Sequence, residues 1–169
     1  MQDLWPEITF EEQLDSPVAI LKEQAALLGD KTQHIVTAEV RPLGTSIADQ
    51  FVNGFYLVAP VLENYRYRLF TISYSVDPYP VIFELDELLH DEVKALGVRS
   101  SIAASADALH SAMKSFNDAE WPGITREIGQ RTLKAQNEQQ FVNILQAIFA
   151  SERTKRIINV LRAQSIVSN

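Results

Sequence analysis

The chain has 169 residues, 46% of them apolar and 22% charged, a net charge of −7 and no cysteine. That length can bury a core without staples, and the composition is that of a globular chain, unlike a disordered one. The missing cysteine excludes disulfides, thiol nucleophiles and cysteine-held zinc or iron–sulfur centres, and the acidic balance argues against a general binder of phosphate backbones.

The charge is unevenly spread. Residues 1–30 carry net −6, residues 31–123 net −5 and residues 124–169 net +4. The plain account of the basic C-terminal part is that it pairs with the chain's own acidic regions or forms a solvated helix face. The opening residues, MQDLWPEITFEEQLD, have no basic stretch followed by an apolar run, so no secretory signal is read there. No apolar run approaches the ~20 residues that span a bilayer. A cytoplasmic location without a membrane partner is the expectation. With few glycines and prolines and no internal repeat, one α+β domain is expected over 1–169. Residues 1–15 read as an N-terminal arm with apolar anchors at Leu4, Trp5, Ile8 and Phe10. Trp5 is a candidate interaction residue, since a tryptophan in an acidic arm docks either on its own domain or on a partner.

Ser16-Pro17 predicts a helix start, with serine as N-cap and proline at the first helical position. The helix is expected over 17–28, with Gly29 as a left-handed stop. Val36, Ala38 and Val40 alternate with Thr37, Glu39 and Arg41, which predicts a half-buried strand over 34–41, ended by Pro42 and Gly44.

Residues 51–76 hold seven aromatic side chains in two runs flanking Glu63-Asn64, the pattern of a hairpin. A two-residue turn there would pair Phe51 with Val76, Asn53 with Tyr74, Phe55 with Ile72 and Leu57 with Phe70. Phe51, Phe55, Leu57, Phe70, Ile72 and Val76 are then the expected core face. Pro60 belongs at an edge, a bulge or a longer loop, because it cannot donate to a ladder. Asp77-Pro78-Tyr79-Pro80 reads as a turn, and Val81–Leu85 as a short apolar strand returning along the sheet.

Asp86 is expected to cap a helix over 87–96, stopped by Gly97, with Leu85, Leu88, Leu89, Val93 and Leu96 buried. A second helix is expected over 102–117. A strand around 131–135 adds to a sheet edge. Asn137 caps a helix at 138–150 with Phe141, Ile144, Leu145, Ile148 and Phe149 inward. Ser151 caps another over 152–164, with Ile157, Ile158 and Leu161 inward and Arg153, Lys155, Arg156 and Arg162 outward. The last residues, SIVSN, read as frayed. The fold class is therefore α+β: an antiparallel meander of four to five strands packed on one face by several amphipathic helices.

Chemistry-bearing patterns are sparse. No P-loop, G-x-G-x-x-G or G-x-S-x-G occurs. Glu87 with His90 and Asp107 with His110 form carboxylate-x-x-histidine pairs, the spacing that bundle metal sites use. They are candidate metal ligands, set against the simpler reading of a charged, solvated helix surface; no cofactor is expected. Tyr65-Arg66-Tyr67-Arg68 suggests a stacking platform for RNA. Strand alternation, however, sends the tyrosines and the arginines to opposite faces.

The leading expectation is a non-catalytic protein-interaction module, chaperone-like or adaptor-like, of unknown partner and homodimeric. Its interaction candidates are Trp5, Arg153, Lys155 and Arg156. The order of elements with a low pI is similar to that of small acidic secretion-chaperone-like domains, with no motif behind the likeness. The alternatives are a metal-dependent hydrolase using scattered carboxylates and histidines, and an RNA-binding protein using the 65–70 strand and the basic C-terminal helix.

Overall fold

The computed structural model describes residues 16–44, 49–102 and 130–168. The expected arm with Trp5, the second helix with Asp107 and His110, and the break at Trp121-Pro122-Gly123 lie outside the described residues. Within them the chain is α+β, as its sequence predicts. The elements run α1 (Pro17–Lys31), β1 (Thr37–Gly44), β2 (Phe51–Ala59), β3 (Tyr65–Tyr74), β4 (Val81–Asp86), α2 (Glu87–Ile102), β5 (Gln130–Ala135), α3 (Glu138–Ala150) and α4 (Glu152–Val167). The five strands form one antiparallel sheet in the order β1-β2-β3-β4-β5. None of the described helices is long and apolar enough to cross a membrane.

Local chemistry sets the helix starts. The Ala19 N–H donates to Ser16 Oγ at 3.2 Å. The Gln140 N–H donates to Asn137 Oδ1 at 2.9 Å, and the Thr154 N–H to Ser151 Oγ at 3.1 Å. Each cap satisfies one of the donors that a first turn leaves open.

The helix ends depart from expectation. Gly29 does not stop α1, which continues to Lys31. Thr32 closes it: its hydroxyl donates to the Leu28 carbonyl at 3.0 Å. The left-handed positions fall on Gln33 (φ 53°) and His34 (φ 59°), and the His34 N–H reaches back to the Gly29 carbonyl at 2.8 Å. α2 likewise runs through Gly97 to Ile102. A glycine costs a helix only about 1 kcal/mol, so without a turn that needs positive φ it does not end one. α4 extends to Val167, beyond the expected 164, with Ser165 buried and its hydroxyl donating to the Leu161 carbonyl at 2.8 Å.

The first strand is also displaced. It begins at Thr37 and passes through Pro42, which sits opposite Asn53, to Gly44 at φ 89°. Proline is tolerated there because β1 is the outermost of the described strands on that side.

The hairpin register is corrected in two steps. Residues 60–64 form the turn, with the Asn64 N–H donating to the Pro60 carbonyl and the Tyr65 N–H to the Leu62 carbonyl, and with Glu63 and Asn64 at positive φ. Phe51 therefore pairs with Tyr74, Asn53 with Ile72 and Phe55 with Phe70. The register then shifts, so that Tyr56 faces Arg68 and Leu57 faces Tyr67, and Leu69 is left without a partner. Such a bulge reverses the side-chain parity of one strand. Without it Arg66 and Arg68 would share a face with Phe70 and Ile72. With it, Tyr65 and Tyr67 lie on the inner side with Leu57 and Ala59, while both arginines lie on the outer side with Tyr56 and Val58. Phe51 and Val76, expected in the core, are 48% and 78% exposed at the sheet's end.

The inner face carries Phe55, Leu57, Phe70, Ile72, Val81, Phe83, Leu85 and Leu133, all buried in one apolar cluster with residues from all four helices. Phe83 stacks on Phe141 of α3, with ring centroids 5.2 Å apart, and Phe149 meets Phe55 at 5.5 Å. α3 thus crosses the inner face, and α4 packs beside it against β2.

Candidate functional site

The predicted site residues fall on three unlike places. The first is the junction of β4, α2 and α4. Asp86 ends β4, and its Oδ1 accepts the Leu89 N–H at 3.0 Å, as expected of a cap. Its other oxygen accepts from Arg153 Nε at 2.9 Å. The Arg153 backbone N–H in turn donates to Glu92 Oε2 at 3.1 Å. Arg153 is therefore half-buried and held against Asp86, where the sequence pattern places it outward. The cause is tertiary: α4 begins directly over the start of α2, where two carboxylates face its first turn. Burial alone would lower the Arg153 pKa, yet hydrogen bonding to Asp86, the Asp86 charge and Tyr67 outweigh it and raise the value. Lys155 stays exposed and donates to Glu152 Oε1 at 2.8 Å, which holds the Glu152 carboxyl below the usual range. Arg156 is exposed beside it.

The second place is His90. It was expected on the polar side of its helix, and is instead only 4% exposed, whereas Leu88, expected inside, is 61% exposed. α2 packs on α3, α4 and β5 at once. The face that meets them is Leu89, Val93 and Leu96 with His90 beside it, so the helix is turned away from the apolar stripe drawn through Leu88. His90 Nδ1 lies 3.2 Å from Asp91 Oδ1. Burial lowers its pKa, the Asp91 hydrogen bond and charge oppose this, and Lys94 and Arg131 add to the lowering. Glu87 is exposed and accepts from Arg131 Nη2 at 2.5 Å. No group of three or more His, Asp or Glu placed to hold a metal ion occurs among the described residues.

The third place is the outer face of the sheet. Register puts Glu39 and Arg41 of β1, Gly54, Tyr56 and Val58 of β2, and Arg66, Arg68 and Thr71 of β3 on one surface. Arg66 Nε lies 2.6 Å and Arg41 Nε 2.7 Å from the same Glu39 oxygen, Oε1. Arg68 is exposed, with no hydrogen bond or ion pair to another described residue. The Tyr56 ring leans back along its strand over Gly54: a Cβ built on Gly54 would stand 2.6 Å from Tyr56 Cε2 and 3.1 Å from Cζ. The glycine is what lets the ring occupy that space.

Sequence reasoning separated the tyrosines of β3 from its arginines, and the register agrees. It missed that β2 supplies another tyrosine, Tyr56, to the arginine face, and that Arg41 joins it. A signal for the bulge was present. Even-numbered positions of β3 change from arginine at 66 and 68 to Phe70 and Ile72, and such a change of character on one parity asks for a one-residue slip.

No protein-family model, curated protein or solved structure gives a significant match to this chain.

Proposed function

We propose that this chain is a non-catalytic protein-interaction module that works by presenting the outer face of its sheet to a partner and that also self-associates. The observation that carries the reading is how its charged groups are used. Asp86, Glu92 and Arg153 tie two helices to the sheet, Glu87 is held by Arg131, and His90 is packed inside. On the outer face, by contrast, arginines from two strands and a tyrosine from the strand between them stand at fixed spacing around a single carboxylate. Strands hold side chains rigidly, which suits recognition of another surface.

The test is sedimentation of the purified chain over a range of concentrations, paired with tagged purification from its native host. Self-association, or a protein recovered in stoichiometric amount, is the expected result. A clean monomer at all concentrations with no co-purifying protein would overturn the reading.

A further inference from the structure

We infer that the β1–β3 half of the outer face is the docking site for an acidic segment of a partner protein, gripped by Arg68, Arg41 and Arg66 around Tyr56. This rests on the interaction reading and names the chemistry of the partner.

Glu39 shows how the face takes a carboxylate. One oxygen is shared by two guanidinium groups at 2.6 and 2.7 Å, so the trio keeps a surplus positive charge. Arg68, across the ladder from Tyr56, adds a second charge with no carboxylate committed to it among the described residues. Farther along the same face β4 and β5 carry one charge of each sign, Glu84 and Lys134, which add no net charge to that of β1–β3. Guanidinium groups recognise carboxylates in a planar, two-point manner. Alternate side chains of an extended segment stand about 7 Å apart, which lets successive acidic residues meet neighbouring arginines. Tyr56, half-exposed over Gly54, supplies an apolar floor between them.

The whole chain is acidic, at −7. Its long-range field repels a polyanion, and attraction is confined to within a Debye length, about 8 Å at physiological salt, of the arginines. That favours a short acidic peptide over nucleic acid, whose binding grows with the number of phosphates neutralised.

The experiment titrates the isotope-labelled full chain at low salt with three probes: an alternating Glu-Ala peptide, the matching Gln-Ala peptide, and oligouridylate. Backbone shifts are expected at Arg41, Tyr56, Arg66, Arg68 and Thr71 with the Glu-Ala peptide alone. Arg68→Glu should weaken that binding about tenfold while leaving the thermal midpoint unchanged, because Arg68 is exposed and makes no hydrogen bond or ion pair with another described residue. Tyr56→Leu, which keeps an apolar floor, should weaken it less. Shifts confined to the Lys155 and Arg156 helix, unaltered binding in Arg68→Glu, or tighter binding of oligouridylate would each overturn the inference. If a partner recovered from the host is retained by Arg68→Glu, this face is wrong while the interaction reading stands; if the unaltered chain recovers no partner and does not self-associate, both fall together.

Discussion

Asp86 serves three elements with one carboxylate. It closes β4, caps α2 and anchors α4 through Arg153. The cap contributes about 1 kcal/mol and the partly buried ion pair about as much again. Asp86→Ala is thus expected to lower stability by about 2 kcal/mol, and Asp86→Asn, which keeps a capping oxygen but loses the charge, by about half that; urea denaturation checks both. His90 makes a second residue-scale prediction. Burial lowers its folded pKa below the ordinary 6.5. As pH falls through that range the unfolded chain takes up a proton that the folded one refuses. Stability therefore drops on acidification from neutral, and this contribution levels off once pH passes below the folded pKa. Asp91, Lys94 and Arg131 also act on the ring, so the test compares the wild type with His90→Gln. The variant should lose less stability between neutral and mildly acidic pH, and equal losses would show that His90 does not carry the dependence.

Among the elements, β3 and α2 teach the most. The bulge at Leu69 lets one strand present Phe70, Ile72 and Tyr67 inward and Arg66 and Arg68 outward. Deleting Leu69, the extra residue, would leave Phe70 and Tyr67 inward and Arg66 and Arg68 outward, because the two halves then alternate without a bulge. The expected cost is the lost burial of the Leu69 side chain in the apolar cluster, about 1.5–3 kcal/mol, read as a lower urea midpoint. α2 passes through Gly97, where an added Cβ meets nothing within 4 Å. Gly97→Ala should accordingly stabilise the chain by about 0.5–1 kcal/mol, visible as a higher urea midpoint.

At the scale of the whole molecule, sheet and helices share one apolar cluster, with Phe83 fully buried between Phe70 and Phe141. Phe83→Ala should cost about 3–5 kcal/mol, a large part of the stability of a chain this size. Phe83→Leu should cost less and leave a measurable transition. The charge pattern is likewise a property of the whole. The basic C-terminal part supplies Arg131 to Glu87 and Arg153 to Asp86, which ties it to acids far away in sequence. The arginine cluster, in contrast, is assembled from β1 and β3 on the far side of the sheet.

Neighbours along the chain were enough to place three helix starts and to settle strand or helix type. Ser16, Asn137 and Ser151 cap helices because a side-chain oxygen reaches a backbone donor three residues on. The alternation in Val36–Arg41 and Val81–Leu85 and the stripe of Phe141, Leu145 and Ile148 suffice for strand and helix type, and so for the α+β class. Tertiary structure decided the rest. Turn length and the Leu69 bulge were set by which side chains had to meet α3, the inward face of α2 by its simultaneous contact with α3, α4 and β5, and the direction of Arg153 by the carboxylates waiting at the start of α2. Those outcomes rest on contacts between residues dozens of positions apart. The sequence pattern holds the partners but not the distances between them, which is why the arginine face around Tyr56 came into view only once the strands were in register.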